Sequence, residues 1–300
     1  MMNKMAAGND SGDLDFSGRV ALITGAARGL GLAYVRSLAA SGAKVFLQDV
    51  GAGRDGLGGD PSVARTAAER LQGEGFDVVP TAAPIQSRQD CHGLVDEILR
   101  VAGRLDIIIH NAGWVGYEPV ADIDEASFEG MMAIASKTPL WLAQAAWPSM
   151  QAAGYGRILL TTSDRALFPE YAQAGLAAYA AAKMAAVGIA NVLALEGRAH
   201  GIVVNAISPV AKTRMWGVDG EPDELRPSEV APGALFLVSD ACTEGGWILR
   251  ASNGQFHASR ACEADGVSYP RDLKAVAARN AREIAANWDR IAVPQQEMRA

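Results

Sequence analysis

VALITGAARGLGLAYVRSLAAS, residues 20–41, decides the fold. Five β-prone residues, Val20 to Thr24, run directly into a glycine-rich turn, Thr24 to Gly31, and that turn opens a stretch with helical spacing. In such a strand–turn–helix unit Gly25 allows the sharp turn, Gly29 lets backbone approach a diphosphate, and Gly31 permits close helix–strand contact. The helix start, with Leu30 in its first turn, offers unpaired N–H groups and a positive dipole end to phosphates. Arg28, inside the turn, has two readings: a local positive charge for a phosphate, or a solvated loop arginine.

Outward from this unit, strands and helices alternate. Further β-rich runs are KVFLQ (44–48), DVVPT (77–81), DIIIH (106–110), RILLTT (157–162), IVVNAI (202–207) and WILRA (247–251). They are continuous apolar segments, as parallel strands covered on both faces are. Helical stretches lie between them, among them GLAYVRSLAAS (31–41), CHGLVDEILRVA (91–102) and AAYAAAKMAAVGIANVLALEGRAHG (177–201). This pattern predicts an α/β fold, one doubly wound parallel sheet in a single domain over 13–292. GAGRDGLGGDP (51–61) is too glycine-rich for a packed element and is expected to be a flexible loop, whereas DLKAVAARNAREIAANWDRI (272–291) has the spacing of a terminal helix. The first dozen residues lack the hydrophobic core of a signal peptide; they and 293–300 are expected to be tails, the first disordered.

Composition narrows the function. With 49% apolar and 20% charged residues, wholesale disorder and a coiled-coil rod are excluded. Lys and Arg number 27 against 34 Asp and Glu, a net charge of −7, so the broad basic face that nucleic acid demands is lacking. Three scattered cysteines argue against a disulfide framework and for a reducing, cytoplasmic setting. No unbroken apolar run reaches the roughly 18 residues of a membrane span. His92, His110, His200 and His257 show no ligand spacing, so no metal is expected and the histidines read as structural.

Asp49 ends the second strand where a carboxylate can grip both hydroxyls of an adenosine ribose and repel a 2′-phosphate, which points to NAD rather than NADP; the alternative is an aspartate capping a loop. In HNAG (110–113) Asn111 can hold the turn, and Ala112 and Gly113 leave room for the adenosine side of the cofactor. Tyr179 and Lys183 share one helix face at i, i+4. An ammonium and a positive nicotinamide ring nearby would lower a phenol pKa of ~10 and make Tyr179 a usable proton carrier. Ser163, ending the fifth strand, can hydrogen-bond the substrate oxygen.

The order TGxxxGxG, NAG, Ser, YxxxK resembles the short-chain dehydrogenase/reductase family over nearly the whole chain, from Asp13 to Ile291. The resemblance implies a three-layer, Rossmann-type sheet of seven strands, with Tyr179 as acid/base, Lys183 on the nicotinamide ribose and Ser163 polarising the oxygen. It also implies a homodimer or homotetramer built on the long helices; the small-residue surface of 177–190 suits that and suits packing within one subunit equally. QAAWPSM (144–150), YGRILLTTS (155–163), ALEGRAHGIVVNAISP (194–209) and AKTRM (211–215) are similar to the (3R)-hydroxyacyl-CoA dehydrogenase module of peroxisomal multifunctional enzymes and bacterial relatives. This implies oxidation of a secondary alcohol on an acyl-CoA or sterol-derived thioester.

Four positions depart from the family pattern. Ala135 stands where most members carry an asparagine that fixes a water beside the lysine. Ser163 and Tyr179 are further apart than usual, the excess lying in a pocket-rimming loop, 164–178. Pro84 replaces an acid that touches adenine, leaving Ile85 as an apolar wall. Pro209-Val210 replaces Pro-Gly, while Thr213 stays available to the nicotinamide carboxamide. Trp114, Tyr117, Leu167, Phe168, Tyr171, Met215 and Trp216 are expected around the nicotinamide, either lining a large apolar pocket or serving core and interface. DGEPDELRPSE (219–229) reads as a solvated lid loop before a helix near Ser228. Three functions remain: a hydroxyacyl-CoA-type dehydrogenase, a hydroxysteroid or general ketone oxidoreductase, and an NAD-binding sensor or scaffold with weak catalysis.

Overall fold

The apolar runs form Val20–Thr24 (β1), Lys44–Gln48 (β2), Val78–Thr81 (β3), Ile107–His110 (β4), Gly156–Thr161 (β5), Ile202–Val210 (β6) and Ile248–Ser252 (β7). In the computed structural model, which describes residues 14–218, 220 and 222–292, these pair in parallel in the order β3-β2-β1-β4-β5-β6-β7. The expected tails at 1–12 and 293–300 lie outside the described residues, as do Asp219 and Glu221 of the expected lid loop.

The sheet has eight strands, which corrects the expected seven. Gln255–Ser259 (β8) returns antiparallel along β7, with Ser252 opposite Gln255. The two residues between them, Asn253 and Gly254, both have positive φ, 51° and 70°. This is the turn whose twist matches a tight hairpin.

Helices Gly29–Ala40 (α1), Ser62–Gly73 (α2), Arg88–Ala102 (α3), Glu125–Met132 (α4), Thr138–Ala153 (α5), Asp164–Leu167 (α6), Ala177–Gly197 (α7) and Ala231–Leu237 (α8) cover the sheet. The period-2 alternation of each strand feeds two separate cores. Ala21, Ile23, Ile107 and Ile109 pack with α1, α2 and α8, whereas Val20, Leu22 and Ile108 pack with α3, α5 and α7. The sheet and these helices therefore form one three-layer, Rossmann-type domain. Near Ser228 the chain first makes a 3₁₀ turn, Pro227–Glu229, before α8.

Register sets the site. Thr24 lies beside Gln48 on one side and His110 on the other, and His110 lies beside Leu160. The residues that follow these strand ends, the Gly25 turn, Asp49, Asn111 and Ser163, are thereby gathered at one edge, where the strand order reverses between β1 and β4. Ligands bind at this point in open α/β sheets.

With its final 3₁₀ turn, α7 (Ala177–His200) is long and apolar enough to cross a membrane by length and composition, 33% of its most apolar window being buried. This amends the expectation drawn from unbroken runs, because scattered polar residues do not cancel so many alanines. The buried residues of this helix include Tyr179, Ala182, Lys183, Ala186 and Ala190.

By contacts the chain divides into two compact units, Met1–Ser259 and Arg260–Ala300, and the sheet lies in the first. In the second, the expected helix over 272–291 is replaced by a bridge between Ser268 and Asp272 and two short helices, Ala281–Ala286 (α9) and Trp288–Ile291 (α10). Lys274 at φ 53° interrupts the helical path. Asn280 then caps the new start, its side chain accepting from Glu283 N–H at 3.0 Å.

Candidate active site

The glycine-rich turn is close-packed rather than merely flexible. A Cβ on Gly25 (φ 59°) would stand 2.7 Å from Ala112 Cα, and one on Gly31 would stand 2.2 Å from the Gly25 carbonyl oxygen. Gly31 is buried and packs on the turn itself and on Asn111, whereas Gly29 and Leu30 border the open cleft. Arg28 caps α1 in extended conformation without a side-chain bond to the helix, leaving first-turn N–H groups for a ligand.

Asp49 is 8% exposed; one carboxylate oxygen accepts from Ala27 N–H at 3.0 Å and the other from Gly51 N–H at 2.8 Å. These bonds hold the carboxylate rigidly and leave lone pairs for hydroxyl donors. Arg28 is held to the turn although its side chain remains 37% exposed. It donates to the Ala52 carbonyl at 3.1 Å, lies 4.0 Å from Asp49, and buries its Nε without a partner.

Asn111 holds the turn as expected, donating to the carbonyls of Thr24 (3.3 Å) and Gly25 (3.0 Å). The Thr24 hydroxyl accepts from the Asn111 and Ala112 N–H groups, both at 3.2 Å. It then donates to His110 Nδ1 at 2.9 Å, because His110 Nε2 must donate to the Ile134 carbonyl at 2.7 Å. Burial, helped by the Lys183 charge, pushes His110 down to about 3, so the ring is a neutral strut. Its anchor, Ile134, belongs to a π-helical turn, Ala133–Lys137, at the place where Ala135 departs from the family. Ala135 is itself buried at 1% exposure.

Tyr179 and Lys183 reach the cleft from α7, which Thr162 pins to β5 by donating to the Lys183 carbonyl at 2.9 Å. Lys183 Nζ donates to the Thr161 carbonyl at 3.0 Å and sits 5.8 Å from the Tyr179 ring centroid. Burial lowers Lys183 to about 8, so at neutral pH it keeps its charge. Burial raises Tyr179, and the Ser163 hydroxyl and the Arg165 charge oppose that rise. The sequence-based expectation of a lowered phenol thus meets a larger desolvation effect in the protein alone. Ser163 Oγ accepts from Arg165 N–H at 3.3 Å, and its O–H is the donor that favours an ionised Tyr179.

These elements enclose a cleft of about 920 Å³. It brings together Gly25, Arg28, Gly29, Leu30, Asp49, Ile85, Asn111, Ala112, Gly113, Pro209 and Thr213 with Ser163, Tyr179 and Lys183. Of the expected pocket residues, Trp114, Tyr171, Met215 and Trp216 line it. Leu167 and Phe168 do not, which corrects their assignment. Leu167 packs on the core, and Phe168 carries the Arg250 guanidinium at 4.6 Å and meets Tyr171 edge-on. Tyr117 lies outside the lining and instead bonds Arg165 and Gln173.

The 51–61 segment is also more than a free loop. Gly56 (φ 79°) lies so close to the Trp114 ring that a Cβ would meet it at 2.4 Å, and Asp60 N–H closes back on the Val50 carbonyl at 2.9 Å. Asp164, Arg165 and Arg250 border the cleft and were missed by sequence reasoning. Asp164-Arg165 directly after the strand-end serine was the available signal; Arg250 sits 86 positions from Asp164 and gave none.

A nucleotide turn at the switch point, facing a Ser–Tyr–Lys constellation, defines an oxidoreductase of CH–OH groups with a nicotinamide cofactor. The model of the short chain dehydrogenase family matches residues 19–222, and the chain belongs to that family. It is 32% identical over 244 residues to peroxisomal multifunctional enzyme type 2 of Mus musculus, covering 80% of this chain and 32% of the mouse enzyme. The chain thus spans about a third of that relative's length. A putative short-chain type dehydrogenase/reductase of Mycobacterium tuberculosis is 29% identical, with 91% of this chain and 93% of that protein covered. The crystal structure of a short chain dehydrogenase from Mycobacterium avium superposes with a TM-score of 0.78 at 28% identity, covering 95% and 98% of the two chains.

Proposed function

We propose that the protein is an NAD-linked dehydrogenase interconverting a secondary alcohol and a ketone on a 3-hydroxyacyl-CoA or sterol-derived thioester, with Tyr179 as acid/base. The observation that carries this reading is one cleft joining the Gly25 turn and Asp49 to Ser163, Tyr179 and Lys183. The similarity to peroxisomal multifunctional enzymes supports the thioester, and the apolar wall of Trp114, Met215 and Trp216 suits an acyl or sterol body.

The residues fit a dinucleotide. First-turn N–H groups of α1 and the orphaned Arg28 Nε are donors awaiting an anion, and Asp49 offers anchored acceptors to ribose hydroxyls. Lys183 and Thr213 would hold the nicotinamide end. Nicotinamide, when bound, supplies the two-electron acceptor for the carbinol carbon. Ser163 donates to the substrate oxygen and fixes its position. Tyr179, as phenolate, takes the hydroxyl proton during oxidation and returns it during reduction. The Ser163 hydroxyl and the Arg165 charge favour the phenolate against burial, and the Lys183 ammonium stands 5.8 Å from the ring centroid. The negative Asp49 carboxylate disfavours a 2′-phosphate, which supports NAD. Exposed apolar residues on α7, Met184, Val192 and Leu195, support a homodimer or homotetramer, and a cytoplasmic setting is proposed from the scattered thiols.

Purified protein with NAD or NADP and a panel of hydroxyacyl-CoAs, hydroxysteroids and simple alcohols tests this by reduced-cofactor absorbance. Fastest turnover of a hydroxyacyl-CoA with NAD is expected. Preference for a free steroid or simple alcohol overturns the thioester, and preference for NADP overturns the Asp49 reading. Tight NAD binding without turnover favours a sensor.

A further inference from the structure

The substrate end of the cleft holds a cation that no carboxylate answers. Arg165, two residues beyond Ser163, is half-buried in the lining, and its Nη1 donates to the Tyr117 hydroxyl at 2.6 Å. That hydroxyl in turn donates to Gln173 Oε1 at 3.1 Å, so the guanidinium is positioned by two side chains of the rim. Among the described residues no Asp or Glu lies within ion-pair distance of it. The neighbouring carboxylate is already engaged: Asp164 receives Arg250 Nη2 at 2.9 Å, Arg250 Nε at 3.0 Å and Ser208 Oγ at 2.8 Å.

The two arginines of this wall therefore differ in kind. Arg250 is neutralised and stacked on Phe168, whereas Arg165 keeps its charge and most of its donor fork. Withdrawing a guanidinium from water without a counter-charge is unfavourable, and a rigid fork matches carboxylate or phosphate oxygens. Its charge also reaches Tyr179, which places it beside the reacting end.

We propose that Arg165 is the anion-recognition residue of the substrate, receiving an anionic oxygen group, carboxylate or phosphate ester, while Ser163 and Tyr179 hold the reacting oxygen. This rests on the reading that substrate lies at the Ser163–Tyr179 end. It adds that the preferred substrate is an anion, and it resolves how a chain of net charge −7 attracts one.

The test is equilibrium binding to the full chain by calorimetry, with and without NADH, using paired probes. Acetoacetate against methyl acetoacetate reads a carboxylate. Acetoacetyl-CoA against acetoacetyl-N-acetylcysteamine reads the phosphates of a carrier. In at least one pair the charged probe is expected to bind roughly 10- to 100-fold more tightly. Arg165→Gln is expected to erase that preference, and Arg165→Lys to restore part of it. Should Arg165→Gln not fold, Tyr117→Phe, which frees the guanidinium, is expected to cut the preference roughly threefold.

Equal binding within both pairs, a preference that survives Arg165→Gln, or one that Tyr117→Phe leaves undiminished, overturns the proposal. So does a change confined to the pH profile and equal for charged and neutral probes, which would make Arg165 only a tuner of Tyr179. Because binding is read, Arg165-dependent capture of acetoacetate without alcohol oxidation would sink the proposed activity and leave this inference standing.

Discussion

Replacing Lys183 with methionine is expected to stabilise the cofactor-free protein while destroying its activity. Lys183 is 4% exposed, and burial lowers it from 10.5 to about 8. That depression corresponds to roughly 3 kcal/mol of native-state penalty for carrying the charge at neutral pH. The variant loses one hydrogen bond, from Nζ to the Thr161 carbonyl at 3.0 Å, which costs about 1 kcal/mol. Methionine fills a similar volume, so no cavity term is added. A net gain of about 2 kcal/mol follows, or roughly 4–8 °C in Tm for a domain of this size. The sign with pH is definite. The folded pKa lies below the unfolded one, so the penalty is complete below about pH 8 and fades as pH rises toward 10.5. Urea unfolding of both proteins across that range reads the difference. A variant less stable than wild type at neutral pH, or a gain that does not shrink on alkalinisation, refutes the reasoning.

Tyr179→Phe is expected to lower turnover roughly 10²–10⁴-fold while keeping NAD affinity and the thermal midpoint, checked by kinetics and calorimetry. Asp49→Asn removes the charge but not the shape, and is expected to shrink the kcat/KM ratio of NAD over NADP roughly tenfold or more; an unchanged ratio would free Asp49 from cofactor choice. Gly56→Val adds a Cβ where the Trp114 ring stands, at a φ of 79° that valine resists. The 51–61 segment is expected to lift, red-shifting tryptophan emission, and an unaltered spectrum contradicts the packing.

Much of this was legible in sequence because its physics is local. A strand's continuous apolar run, the glycines of the Thr24–Gly31 turn and the i, i+4 spacing of Tyr179 and Lys183 need no tertiary information. β8 was missed: its residues are mostly exposed and lack a strand's apolar mark, and the available signal was Asn253-Gly254 after an apolar run. What stayed hidden depends on distant pairing. Phe168 left the substrate wall because Arg250, on β7 two strands from β5, draws it into a cation–π stack. Gly56 looked like loop composition until Trp114 was placed against it. Arg165 could not be distinguished from Arg250 by sequence, since only three dimensions show which one has a carboxylate.

The central claim, that Ser163, Tyr179 and Lys183 oxidise a carbinol against the cofactor of the same cleft, is tested most directly with a (3R)-hydroxyacyl-CoA deuterated at the carbinol carbon. The reduced cofactor is isolated after a single turnover and its mass measured. The account predicts deuterium in NADH from the wild-type protein, and none above background in the same time from Tyr179→Phe. Unlabelled NADH, or equal labelling by the phenylalanine variant, contradicts it.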